Sequence, residues 1–434
     1  MVRCNVSELR EGMVLAEDVL TAGGRFLMPK GTTLDHGHLK SLQAWNLTAV
    51  SVAASPKPVA PEAPDDGAVA AREAAETVVR ERLCRLDCEH EAGRVLWRLA
   101  LERETRRRLA GDALSPDSGE SEPHHPGDDT AGRPEELPPP LSSPEALLRD
   151  EPKLVSPPEV YLRINDVLRD PKSTVEDAAE SIRHDPSLAA KLLRLVNSSF
   201  YARTLRAVRG RFPAKVDSLS RAVMVVGGRQ LATLALGVSV LPLFQDIPPH
   251  WVNMRVFWEH SVGCAAAAQA IAGACSRGNP ETAFVAGLLH DIGRIIVFKQ
   301  ASTHMAAAMR QAADAREPLY KAERDLLGFD HAELGGHLLR KWQFPANLEK
   351  MVRYHHDLGE PLFIDEPAVI HLADCVATAM GWGASGNRHA PPLDPAAWQA
   401  LGLTGEELAG LVPAMEARLA ETMHSFFPDR DGRA

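Results

Sequence analysis

At 434 residues the chain is too long for one ordinary domain. Its 45% hydrophobic and 24% charged content is that of a globular protein, not a disordered or fibrous one. The net charge of -10 leaves no basic surplus for phosphate backbones, so direct nucleic-acid binding is not expected.

Aromatic residues make up only 5% while Ala and Leu abound, which favours a mainly α fold. The cysteines, Cys4, Cys84, Cys88, Cys264, Cys275 and Cys375, are scattered. They read as reduced thiols of a cytoplasmic protein, not as a disulfide framework. Cys84 and Cys88 fall one helical turn apart near His90, but two ligands do not close a zinc site. No charged start followed by an apolar core marks a signal peptide at Met1–Asn5. The most apolar stretch, Ala222 to Phe244, is interrupted by Gly227-Gly228-Arg229-Gln230 and reads as a buried helix pair, not a membrane span.

Residues 1–52 are expected to form a small α+β domain. Met13–Val19 and Arg25–Met28 read as strands about a Gly23-Gly24 turn, and Thr48–Val52 as a closing strand. Asp35 looks like the N-cap of a helix through Trp45. Such a unit suits an interaction or regulatory cap. Residues 53–111 read as a Pro/Ala-rich linker to about residue 67, then a charged helical stretch. Val78, Val79, Leu83, Leu86, Val95, Leu96, Leu99 and Leu109 give that stretch an apolar stripe, open to a partner helix or self-association. Residues 112–150, acidic and Pro-rich, read as a disordered linker with His124 and His125 solvated.

From 151 to 385 the pattern is helical, with a distinct subregion at 250–380 and a helical tail at 386–434. Thr174, Asp185 before Pro186, Ser218 and Asp330 look like N-caps. His260, His290, Asp291 and Asp374 all fall on expected core helices, with His331, His355 and His356 in addition. Imidazole and carboxylate together suit one or two divalent transition metals such as iron or manganese. Two ions sharing an Asp beside a His could clamp a phosphoryl oxygen and generate hydroxide. Arg294, one turn beyond His290, could bind a phosphate. A single His in such a setting is more often a core or surface residue. His304, His337, His371 and His389 are assigned to structural or exposed positions, and Cys264 and Cys375 to small core positions.

From about Val155 to Ala379 the chain resembles the HDOD family, bacterial signal-output relatives of the HD phosphohydrolases. The motifs that carry this are Leu192–Ser198, Ala222–Gly227, Phe284–Gly293, Gly328–Gly335, Trp342 with Phe344-Pro345, and His355-His356. Residues 1–52 resemble the small domain that precedes some bacterial HD-GYP phosphodiesterases, through Gly12–Val19 and Leu27–Thr32. The resemblance implies an all-helical HDOD bundle with a regulatory role and no established catalysis. It also implies that the HD metal positions fall on His260, His290, Asp291 and Asp374, and the additional HD-GYP ligands on His331, His355 and His356. The lysine of HD-GYP enzymes is replaced by Arg294, and their Gly-Tyr-Pro segment by Asp357-Leu358-Gly359-Glu360-Pro361.

The expectation is a bacterial signalling protein whose HDOD module binds a partner protein or a nucleotide signal without catalysis. The alternative is a metal-dependent phosphohydrolase with His290, Asp291 and Arg294 at its catalytic centre. A homodimer stays open, and no membrane contact is expected.

Overall fold

The computed structural model describes residues 2–6, 9, 13–21, 26–35, 37–39, 42, 49–52, 66–111, 141, 143–149, 159–170, 172–198, 216–241, 252–358 and 364–427. The linker at 53–65, most of that at 112–150, His124, His125, the Gly23-Gly24 turn and Trp45 lie outside them. Among the described residues there are eighteen helices and four short strands, so the fold is mainly α. The chain divides into two compact units, Met1–Val69 and Ala70–Ala434.

In the first unit, β1 (Val2–Asn5) pairs antiparallel with β4 (Ala49–Val52), and β2 (Val19–Leu20) with β3 (Phe26–Met28). The expected strand over Met13–Val19 is shorter than its apolar pattern suggests. Val14 and Leu15 make isolated bridges, and Asp18 turns its carboxylate onto the Lys30 N–H at 2.7 Å. Asp35 accepts from the His38 N–H at 2.8 Å, as a capping residue should. Leu15, Leu34 and Leu42 centre a small apolar core.

The second unit is a helical bundle around one continuous core. The charged stretch forms α1 (Asp66–Arg82) and α2 (Glu91–Leu109), and Val79, Leu83, Leu86 and Leu96 are buried in that core. After α3 (Pro144–Leu147) come α4 (Glu159–Arg169), α5 (Val175–Arg183), α6 (Pro186–Val196), α7 (Leu219–Val226) and α8 (Gly228–Val240). Their starts follow the sequence. Thr174 and Asp177 form a reciprocal capping box, Asp185 caps with Pro186 behind it, and Ser218 caps α7. No single helix among the described residues is long and apolar enough to cross a membrane; α7 and the following α8 bend by 117°.

The centre is α9 (Met254–Cys275), which packs against α10 (Pro280–Leu289), α16 (Asp365–Met380) and α18 (Gly405–Phe426). Between them run α11 (Ile292–Gln300), α12 (Ser302–Ala315), α13 (Leu319–Leu327), α14 (His331–Lys341) and α15 (Ala346–Arg353), with α17 (Pro395–Leu401) after α16. Two glycines set how closely these helices approach. A Cβ on Gly287 would stand 2.8 Å from the Ala265 backbone, so α10 lies directly on α9. One on Gly293 would stand 2.1 Å from the His331 carbonyl oxygen, so α11 lies directly on the start of α14.

Candidate metal centre

These close approaches bring together groups distant in sequence. His260 projects from the middle of α9. His290 ends α10 and Asp291 begins α11, so the kink between the two helices turns both side chains inward. His331 opens α14, capped by Asp330, whose carboxylate accepts from the Glu333 N–H at 2.8 Å. Its other oxygen pairs with Arg324, and the Glu333 side chain turns to Arg353 and His337. His355 and His356 lie in the turn after α15, and Asp374 sits inside α16, every residue of which from Pro367 to Met380 is buried.

All seven expected ligands therefore meet in one place. His260, His290 and Asp291 form one set of mutually close ligand atoms, His290, His355 and Asp374 a second, and His331, His355 and His356 a third. The His260 Nε2 lies 3.5 Å from Asp291 Oδ2 and 3.3 Å from Asp374 Oδ1. The His290 Nε2 lies 3.2 Å from the same Asp291 oxygen. On the other side, His331 Nε2 lies 2.9 Å from Asp291 Oδ1. Ligand atoms about 2.0–2.1 Å from one ion stand about 3.4 Å apart in a tetrahedron and about 2.9 Å apart at right angles. The observed spacings match those edges.

The rings are also oriented for coordination. His290 donates Nδ1–H to the Gly287 carbonyl at 2.8 Å and His355 to that of Val352 at 2.6 Å. His331 directs Nδ1 to Glu323 at 2.5 Å. In each case Nε2 is left facing inward. The Nε2 atoms of His260, His290, His331 and His355, both ring nitrogens of His356, and Asp291 Oδ1 are buried without a hydrogen-bond partner. Buried polar atoms are nearly always satisfied, so such a convergent set fits a metal ion.

Burial works against charge on every group here. At Asp291 it is outweighed by Arg294, His290 and His331, and at Asp374 by His260 and His290, so both carboxyls stay well below the usual range. At His290, Asp291 and Cys264 outweigh burial and hold the imidazole pKa well above its ordinary value. His331 is raised as well, burial and Arg294 being overcome by Glu323 and Asp291. His355 and His356 are pushed well below theirs, by burial first and then by the neighbouring imidazoles. A neutral ring is the form that binds a metal.

Arg294 is fully buried and spends Nε and Nη1 on protein groups, while its Nη2 has no hydrogen-bond partner among the described residues. Nη1 donates to Asp291 Oδ2 at 2.9 Å and to Ser385 Oγ at 2.6 Å, and Nε donates to Glu323 Oε1 at 3.1 Å. The guanidinium neutralises protein carboxylates. Glu323 and Ser385 were not singled out from sequence. Glu323 lies on the apolar side of α13 among Leu319, Ala322, Leu326 and Leu327, and a carboxylate at such a position was the available signal. His371 is structural, as expected: it donates Nδ1–H to the His355 carbonyl at 2.8 Å and accepts the Asp394 N–H at 2.9 Å. Cys264 and Cys375 are wholly buried, Cys264 beside His290.

The family model of the HDOD domain matches residues 154–358. That segment is an HDOD domain. The match ends before Asp374, so α16 completes the cluster from beyond the matched part of the HDOD segment. An uncharacterized protein of Treponema pallidum (strain Nichols) is 26% identical over 203 residues, 46% of this chain and 37% of that protein. The chain thus spans well under half the length of that relative. The crystal structure of a Shewanella amazonensis protein, provisionally called a phosphohydrolase, has the same fold. It covers 66% of this chain and 98% of its own, with a TM-score of 0.52 and 22% identity. An HDOD domain protein of unknown function from Geobacter sulfurreducens is 22% identical, covers 65% of this chain and 98% of its own, and has a TM-score of 0.47.

Proposed function

We propose that this is a signalling protein whose HDOD module holds a divalent transition metal inside its helical core for regulation, not turnover. The signal it exchanges is a protein partner or a small nucleotide. The observation that carries this reading is closure. His260, His290, Asp291, His331, His355 and Asp374 are each at most 1% exposed, and only His356 is half-buried. Structural metal sites complete their coordination with protein groups, whereas catalytic ones keep a position open to water and substrate. The mixed imidazole and carboxylate donors suit iron or manganese. The small N-terminal unit, with no convergent catalytic groups among its described residues, suits the relay of a bound state to other components.

Metal analysis of the purified protein, with turnover assays on nucleotides and cyclic dinucleotides, tests the proposal. Stoichiometric metal, lost in His290→Ala and Asp291→Ala, with no turnover is the expected result. Hydrolysis that disappears in the same variants would overturn the regulatory reading.

One feature favours the second reading, a metal-dependent phosphohydrolase. Asp291 divides its oxygens, Oδ2 toward His260 and His290 and Oδ1 toward His331. A carboxylate so placed can serve two ions, and two ions can supply Lewis-acid and hydroxide chemistry.

A further inference from the structure

We infer that Glu323 is a positioning residue that makes the second metal position of the centre, around His331, available. The inference rests on the metal-binding reading above, with Asp291 serving two ions. Glu323 is fully buried on α13. Its two oxygens do different work. Oε2 accepts the His331 backbone N–H at 2.9 Å and faces the His331 ring Nδ1 at 2.5 Å. Oε1 accepts from Arg294 Nε at 3.1 Å, and Arg294 holds Asp291. One carboxylate therefore fixes the backbone and the ring of one candidate ligand and, through a guanidinium, another.

The ring consequence follows from hydrogen-bond chemistry. A carboxylate at Nδ1 holds a proton there, so Nε2, 2.9 Å from Asp291 Oδ1, is the ring atom left to face the centre. At that separation either a proton or a metal ion must stand between Nε2 and the carboxylate oxygen, and a bound metal takes the proton's place. The anionic Glu323 lies on the far side of the ring and makes His331 a stronger donor. His290 and His355 have only neutral carbonyls behind them, so His331 is the one ring so treated among the described ligands. His260, His290 and Asp374 do not touch Glu323 in any described hydrogen bond; Glu323 reaches the Asp291 oxygen on their side only through Arg294, so its direct hold is on the His331 position.

Cobalt(II) titration of the intact protein tests this, followed by calorimetry and by the visible absorption of the bound ion. Wild-type protein is expected to take up cobalt in two distinguishable steps, and His331→Gln to lose the weaker one. Glu323→Gln should keep the first step and weaken the second roughly 10- to 100-fold, the usual effect of removing an outer-shell partner. Equal weakening of both steps would mean that Glu323 only supports the fold. An unchanged isotherm, or a single step in the wild type, would equally overturn the inference. Wild-type protein that takes up no cobalt sinks the metal reading itself, and this inference with it. Should Glu323→Gln fail to fold, histidine-selective 15N spectra of the zinc-loaded wild type decide. Nδ1–H on His331 is expected, and Nε2–H excludes the proposed role.

Discussion

Arg294 Nη1 lies 2.9 Å from Asp291 Oδ2, the oxygen that His290 approaches to 3.2 Å. A permanent cation of the protein thus shares an oxygen with the candidate metal ligands. Removing it leaves Asp291 and Glu323 as buried charges without their partner. Arg294→Met should cost about 3–5 kcal/mol in metal-free protein. Added manganese should recover much of that loss, because the ion offers its own charge to the same oxygen. Denaturant unfolding with and without manganese measures both numbers. Equal losses in the two conditions would show that Arg294 and the ion do not compete.

Asp374 tests whether the cluster is one centre. It is the member supplied from beyond the HDOD match, and its Oδ1 is 3.3 Å from His260 Nε2. Asp374→Asn keeps the volume and removes the charge. Metal uptake at the position shared with His260 and His290 should fall at least tenfold. Uptake equal to wild type would detach Asp374 from the centre.

The glycine contacts predict opposite outcomes for similar changes. Gly293→Ala drives a methyl against the His331 carbonyl, and should cost about 1–3 kcal/mol or more while displacing His331. Gly273→Ala, late in α9, meets nothing within 4 Å and should stabilise by about 0.5–1 kcal/mol. Thermal melting of the two variants reads the signs, and metal uptake should fall only in the first.

Thiol chemistry checks burial both beside the centre and away from it. Burial pushes the Cys275 thiol up to about 11, against an ordinary 9.0. Its thiolate, the reactive form, is present only as pH rises toward that value. At pH about 8 it should alkylate roughly a hundredfold more slowly than an unperturbed thiol. Cys84 and Cys88 are exposed and should react first, and the buried Cys264 and Cys375 only after unfolding. Time-resolved mass spectrometry of labelled peptides gives the order. Fast labelling of Cys375 in folded protein would contradict the packing of α16.

Much of this was legible in the residues because the signals are local. Thr174, Asp185 and Ser218 announce helix starts through the reach of their own side chains, and the structure uses each of them. The seven candidate ligands could be named from residue type and from motifs shared with a family. Glu323 and the true partners of Arg294 could not. Their roles depend on α13 and the loop at Ser385 meeting α11, and no short-range pattern encodes that meeting. The strand expected at Met13–Val19 is shorter for a related reason: Val14 and Leu15 find only isolated bridge partners, and the Asp18 carboxylate takes the Lys30 amide.

The cluster draws its groups from α9, the α10–α11 junction, the head of α14, the turn after α15, and α16. An ion lodged there would be walled in by all of them. Departure needs several walls to part together, or the half-buried His356 to swing outward, and such openings are rare in a packed interior. Exchange with the medium would then be far slower than changes in the supply outside, and each molecule would keep a lasting record of the conditions in which it was filled.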